Sequence, residues 1–233
     1  MKRTIIQKHP WIPRAAAAVC ALALILAVCR VTVVYDAPPR SPDEEDGLAD
    51  LSVAERYCAE NWESRMLPAI EERAIDLPAF LGGVRGDLAA LGAQHAARAN
   101  ETSPWSFCLK GRARVLEVEN PDKVTKARLL LDVEPYDGQA DVKVQISSVI
   151  KTNAVRDAVS FLKLDDFSNQ VEFAELTKAF NARIQADLIT KLDALPLVGK
   201  EIDLLGCVSI IDSADAAGEE ILIVPIRLDA VGD

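Results

Sequence analysis

From Trp105 onward the apolar residues of this chain stop recurring every three or four positions and begin to alternate with polar ones. That change of period limits the possible folds more than any other feature of the sequence. Trp105, Phe107, Leu109, Gly111 and Ala113 fall on one side of an extended strand, and Val115 and Leu116 then come together, which predicts a bulge near Gly111. A turn over Glu119–Lys123 separates this long, bent strand from a second at 127–134. Asp137 and Gly138 give a hairpin signal before a third strand at 140–150, where Val142, Val144 and Ile146 alternate with Asp141, Lys143 and Gln145. Asn169 and Glu172 have the spacing of a helix start. Phe173, Leu176, Phe180, Ile184, Leu188 and Leu192 mark one face of a helix of about 20 residues, which Pro196 and Gly199 stop. Two further strands, 201–211 and 219–231, flank the acidic loop 212–219.

Three strands, a helix and two strands is the order of the OB-fold, a five-stranded Greek-key barrel. The expected class is therefore α+β: a five-stranded OB-like antiparallel β-barrel whose helix, between strands three and four, plugs one end. In that topology strand one pairs with strand four. Cys108 and Cys207 can then lie close enough for a disulfide bridge, with two buried free thiols as the alternative.

A helical region precedes the strands. Ser52 and Glu55 form a capping box, Ala54, Tyr57, Cys58, Trp62 and Leu67 share a face, and Pro68 is expected to kink or end that stretch. A second helical stretch is expected to break at Gly82 and Gly83, with Leu88 and Leu91 apolar and Ala-rich sequence running to Ala99.

The N-terminus has the layout of a secretory signal. Lys2, Arg3, Lys8 and Arg14 precede an apolar run from Ala15 to Cys29, and no acid occurs before Asp36. A helix of that run rises only about 22 Å against a hydrocarbon core of about 30 Å. It suits a cleaved signal, although an uncleaved anchor extended by Val31, Val33 and Val34 remains open. Leu26-Ala27-Val28-Cys29 resembles a lipobox, in which the Cys is acylated, but Val28 is larger than the small residue that pattern wants. Either lipidated Cys29 or an anchor helix tethers the chain to the periplasmic face of the inner membrane. Residues 1–35 thus read as signal or anchor, and 36–50, with three prolines and a cluster of acids, as a linker. Residues 51–233 read as one exported domain, with a helical part at 51–103 and the barrel at 104–233.

Beyond the leader the 26 basic residues fall to 22 while all 36 acids remain, a net charge of −14. Such a surface repels phosphate backbones, so nucleic acid is not an expected partner. Only Cys58, Cys108 and Cys207 lie beyond Cys29, an odd number that rules out a dense disulfide framework.

Catalytic chemistry has few candidates. His95 is the only histidine outside the leader and reads as a surface residue. No nucleophile elbow or zinc-protease helix occurs, and no His or Cys pairs stand at metal spacing. No catalytic residue, metal site or cofactor is expected. Asp137-Gly138 with Asp141 lacks the earlier ligand positions of a calcium loop and reads as a turn. The densest polar group outside regular periodicity is Lys151, Asn153, Arg156 and Asp157 with Asn169 and Gln170. Amides, Arg and carboxylate are what a sugar or small polyol requires, with Trp105 as a stacking platform. The same residues can instead make an Arg156–Asp157 corner, an Asn169 helix cap and a core Trp105.

Six segments carry a family resemblance: WESRMLP at 62–68, PWSF at 104–107, DVKVQI at 141–146, KTNAVRD at 151–157, DFSNQ at 166–170 with Phe173-Ala174, and IVPIRL at 223–228. Together they make the stretch from Tyr57 to Ala230 resemble the predicted periplasmic lipoproteins called domain of unknown function 2291. The resemblance implies an OB-like barrel with helical additions, a periplasmic lipoprotein, and genetic company with ABC-type sugar importers. It implies no catalytic residue. The expected function is that of a non-enzymatic, membrane-tethered accessory protein of a sugar or polyol ABC importer. A stand-alone saccharide-binding module is the alternative.

Overall fold

The computed structural model describes residues 51–211 and 220–232. The leader with Cys29, the 36–50 linker and the 212–219 loop lie outside the described residues.

Ser52 caps the first helix, α1 (Val53–Asn61), accepting from the Glu55 amide while the Glu55 carboxylate accepts from the Ser52 amide at 2.8 Å. These bonds hold the Glu55 carboxyl below its usual range. The helix passes through a wide π turn, Trp62–Met66, into α2 (Leu67–Arg73), whose first turn holds Pro68. Proline has no N–H to donate to the preceding turn, and the widened turn keeps the helix going rather than ending it. The two-residue strand β1 (Ile75–Asp76) then leads to α3 (Leu77–Gly86) and α4 (Leu88–His95). The expected break at Gly82 and Gly83 is not there: α3 runs through both and ends at Asp87, which caps α4 through the Ala90 amide. Gly83 serves packing instead, since a Cβ at that position would come 2.6 Å from Leu91 Cδ1.

Five strands follow in the expected order: β2 (Trp105–Glu119), β3 (Arg128–Val133), β4 (Val142–Gln145), β5 (Glu201–Ile210) and β6 (Leu222–Ala230). Between β4 and β5 lie the short α5 (Ala154–Asp157) and the long α6 (Gln170–Asp187). Pairing runs β1-β2-β3-β4-β6-β5, and β5 returns to pair with β2 along ten residues, so the ladder closes into a ring of five strands. An all-antiparallel ring was expected, but the sheet is mixed. β4 and β6 run parallel, and β1 adds a sixth strand parallel to β2. Parity requires the former, because an odd number of strands cannot alternate direction around a closed ring. The bulge of β2 lies at Leu116, between the Val115 and Glu117 pairings, rather than near Gly111. Gly111, at φ 146°, lies against Leu77, whose backbone nitrogen would be 3.4 Å from a Cβ there.

Alternation along the strands sorts their side chains into two cores. The inner one contains Phe107, Leu109, Leu129, Leu131, Val144, Ile202, Leu204 and Ile223. Leu77, Phe80, Leu81 and Val84 of α3 complete it, the Phe80 and Phe107 rings meeting edge to face at 5.2 Å. The outer core sets Cys108, Leu205, Cys207 and Val224 against Trp62, Met66 and Ile70, and against Leu176, Phe180 and Ile184 of α6. The expected plug is thus corrected. The α6 stripe covers the outside of the ring, of the predicted stripe only Leu188 and Leu192, past the end of α6, touch the inner core, and α3 packs into that core instead.

Candidate functional site

The predicted polar cluster is divided by α5 and α6. Lys151 and Asn153 line a recess of about 540 Å³ with Thr177 and Gln185. Its floor is fixed by Asn181, whose Nδ2 donates to the carbonyls of Ile150 at 3.3 Å and Thr152 at 3.1 Å. Asn169 is the N-cap of α6, accepting from the Glu172 amide at 2.9 Å, and Gln170 is the exposed first residue of that helix. Trp105 is 7% exposed. One part of its ring lies against Gly92, where a Cβ would approach to 2.5 Å, and the Arg98 guanidinium stands 3.8 Å from the ring centroid. It offers no open face for a sugar to stack on.

Arg156 and Asp157 go elsewhere. They line a second, larger cavity of about 730 Å³, walled by Arg73 at the end of α2, the segment 96–100 after α4, residues 159, 160 and 162–164, and Phe173. Arg156 is held from three sides: Nε donates to Asp157 Oδ1 at 2.7 Å, Nη1 donates to the Phe173 carbonyl at 3.4 Å, and the guanidinium lies 4.2 Å from the Phe173 ring centroid. Its side chain is only 11% exposed. The Arg156–Asp157 corner read from the sequence is real, and it is also a cavity wall.

Sequence reasoning missed three more cations on this wall, Arg73, Arg98 and Lys163. Arg98 Nη1 donates to the Glu101 carbonyl at 3.0 Å. Arg73 Nε is buried without a hydrogen-bond partner. Neither residue announces itself. Arg73 in a last helical turn is ordinary dipole chemistry, and Arg98 sits in an Ala-rich stretch.

Register places Cys108 directly opposite Cys207 on the outer face of the ring, with sulfurs 4.0 Å apart. Both are free thiols in this structure, as is buried Cys58. Cys207 donates to Cys108, which lowers the Cys108 thiol and, together with burial, pushes Cys207 well up. Burial also pushes Cys58 up to about 11. His95 is exposed at the end of α4. The 134–141 segment is organised by buried Asp132, whose carboxylate accepts from the amides of Asp137 and Gly138 at 3.3 and 2.9 Å.

A family model described as predicted periplasmic lipoprotein, domain of unknown function 2291, matches residues 19–229. The match begins inside the apolar leader and includes Cys29. An OB-fold protein from Thermotoga maritima, known from a crystal structure, superposes with a TM-score of 0.64 at 15% identity, over 77% of this chain and 99% of that one. The likeness establishes the OB fold. No curated protein matches the chain.

Proposed function

Because the chain belongs to the family of predicted periplasmic lipoproteins, a membrane-tethered protein of the periplasm, we propose that it is a non-enzymatic accessory of an ABC importer that binds a small sugar-like ligand. The ligand occupies the cavity between the 96–100 segment and α5. One observation carries this reading: a cavity of about 730 Å³ walled by fixed Arg156 and Asp157 and by Phe173. That volume lies within the range of small-molecule sites, and a few oriented polar groups on an apolar wall are what such sites use. Guanidinium and carboxylate supply paired hydrogen bonds to hydroxyls. The role beside an importer is supported by the genetic company that the family resemblance implies.

The test has two arms. Thermal melting of the full chain in mild detergent with a panel of neutral and acidic monosaccharides measures ligand binding, since a ligand that binds only the folded state raises the melting temperature. Affinity capture from membranes with the tethered protein as bait measures importer association. A melting shift without capture of an importer subunit favours the stand-alone binding module. Capture without any shift removes the ligand, and the absence of both shift and capture sinks the proposal.

A further inference from the structure

We infer that the cavity selects an anionic ligand, a sugar carrying a carboxylate or phosphate group. The inference rests on the cavity being a ligand site at all. Beyond the leader, acids outnumber bases 36 to 22, so a wall drawn at random from this surface would be acidic. Here the balance is reversed. Arg73, Arg98, Arg156 and Lys163 face a single acid, Asp157.

The four cations are not equally compensated. Arg156 is neutralised by Asp157 at 2.7 Å. Arg98 has only a carbonyl and an indole ring as partners, which hold it in place without cancelling its charge. Arg73 and Lys163 form no ion pair among the described residues, and the buried Arg73 Nε has no acceptor. A buried polar group without a partner loses the full hydration it gave up on folding. Arg73 and Arg98 are part-buried, so their mutual repulsion is screened less than in water, while exposed Lys163 adds a more strongly screened charge. An anion in the cavity lowers that repulsion, which a neutral sugar does not. The planar forks of Arg73 and Arg98 match carboxylate or phosphate oxygens two at a time, which a lone ammonium cannot do.

The experiment is thermal melting and isothermal titration of the full chain in detergent with four probes: glucose, galacturonate, glucose 6-phosphate and inorganic phosphate. The expected result is stabilisation by galacturonate or by glucose 6-phosphate, weakening as salt is raised, with little from glucose. The two acidic sugars distinguish carboxylate from phosphate, and inorganic phosphate shows whether the sugar part contributes. Arg73→Gln and the more exposed Lys163→Gln each lower the affinity, roughly tenfold or more for the arginine, and Arg73→Lys restores part of the loss. Glucose binding as well as galacturonate, or undiminished acid binding in both Gln variants, overturns the anion inference and leaves the cavity a ligand site. No shift with any probe overturns both.

Discussion

Phe180 joins the helical layer to the ring of strands, and its truncation measures how much that joint contributes. The side chain is fully buried in the outer core, its ring centroid 5.8 Å from that of Trp62. Returning its apolar surface to water costs about 1.5–3 kcal/mol, and the cavity left by alanine raises the loss to about 3–5 kcal/mol. A domain of this size is stable by about 5–15 kcal/mol, so Phe180→Ala removes a large part of the margin. The assay is equilibrium urea unfolding of the full chain in detergent, followed by far-ultraviolet circular dichroism and by tryptophan fluorescence. With a slope of about 2 kcal/mol/M, a loss of about 4 kcal/mol moves the midpoint down by about 2 M. Strands β2 and β5 face both cores, Cys108 and Cys207 outward and Phe107 and Leu204 inward. The two probes should therefore shift together in one transition. Phe180→Leu keeps most of the fill and loses clearly less. A loss under about 1 kcal/mol for alanine, or helical signal melting ahead of the rest, would refute the claim that α6 and the ring form one packed unit.

Gly206→Ala places a Cβ 2.6 Å from the Val224 carbonyl oxygen and from Ile223 Cγ2 at the β5–β6 bulge, where backbone cannot rotate away. The same unfolding assay should register a cost of about 1–3 kcal/mol. Refolding the denatured chain with oxidised glutathione, a disulfide oxidant, should join Cys108 to Cys207. Two protons and two electrons leave the thiols, and the sulfurs close from 4.0 Å to about 2.05 Å. Non-reducing peptide maps with a dominant bridge to Cys58 would contradict the register. Metabolic labelling with a fatty-acid analogue should mark the wild type and not Cys29→Ala; equal labelling of both would leave an uncleaved anchor as the tether.

Strand order was legible because alternation and turn residues are local signals, and the pairing of Cys108 with Cys207 followed from topology. Which side of the sheet α6 covers was not legible. The stripe from Phe173 to Ile184 says that the helix has an apolar face but not which sheet surface meets it, and a closed ring offers two. Gly83 read as a helix breaker because its role depends on Leu91, eight residues on and in another helix. The site was half visible. Arg156 and Asp157 stood out as sequence neighbours, while Arg73 and Arg98 converge on them only after α2, α4 and α5 pack around the ring.

A small ligand held in the cavity between the 96–100 segment and α5 would slow backbone exchange there. Hydrogen–deuterium exchange of the full, tethered chain, alone and with galacturonate or glucose 6-phosphate in turn, reads this out. Slower exchange confined to residues 96–100 and 156–164 is expected with at least one of the two sugars. Protection centred on the Lys151–Asn153 recess, or unchanged exchange with both sugars at saturating concentration, would contradict a ligand site in that cavity.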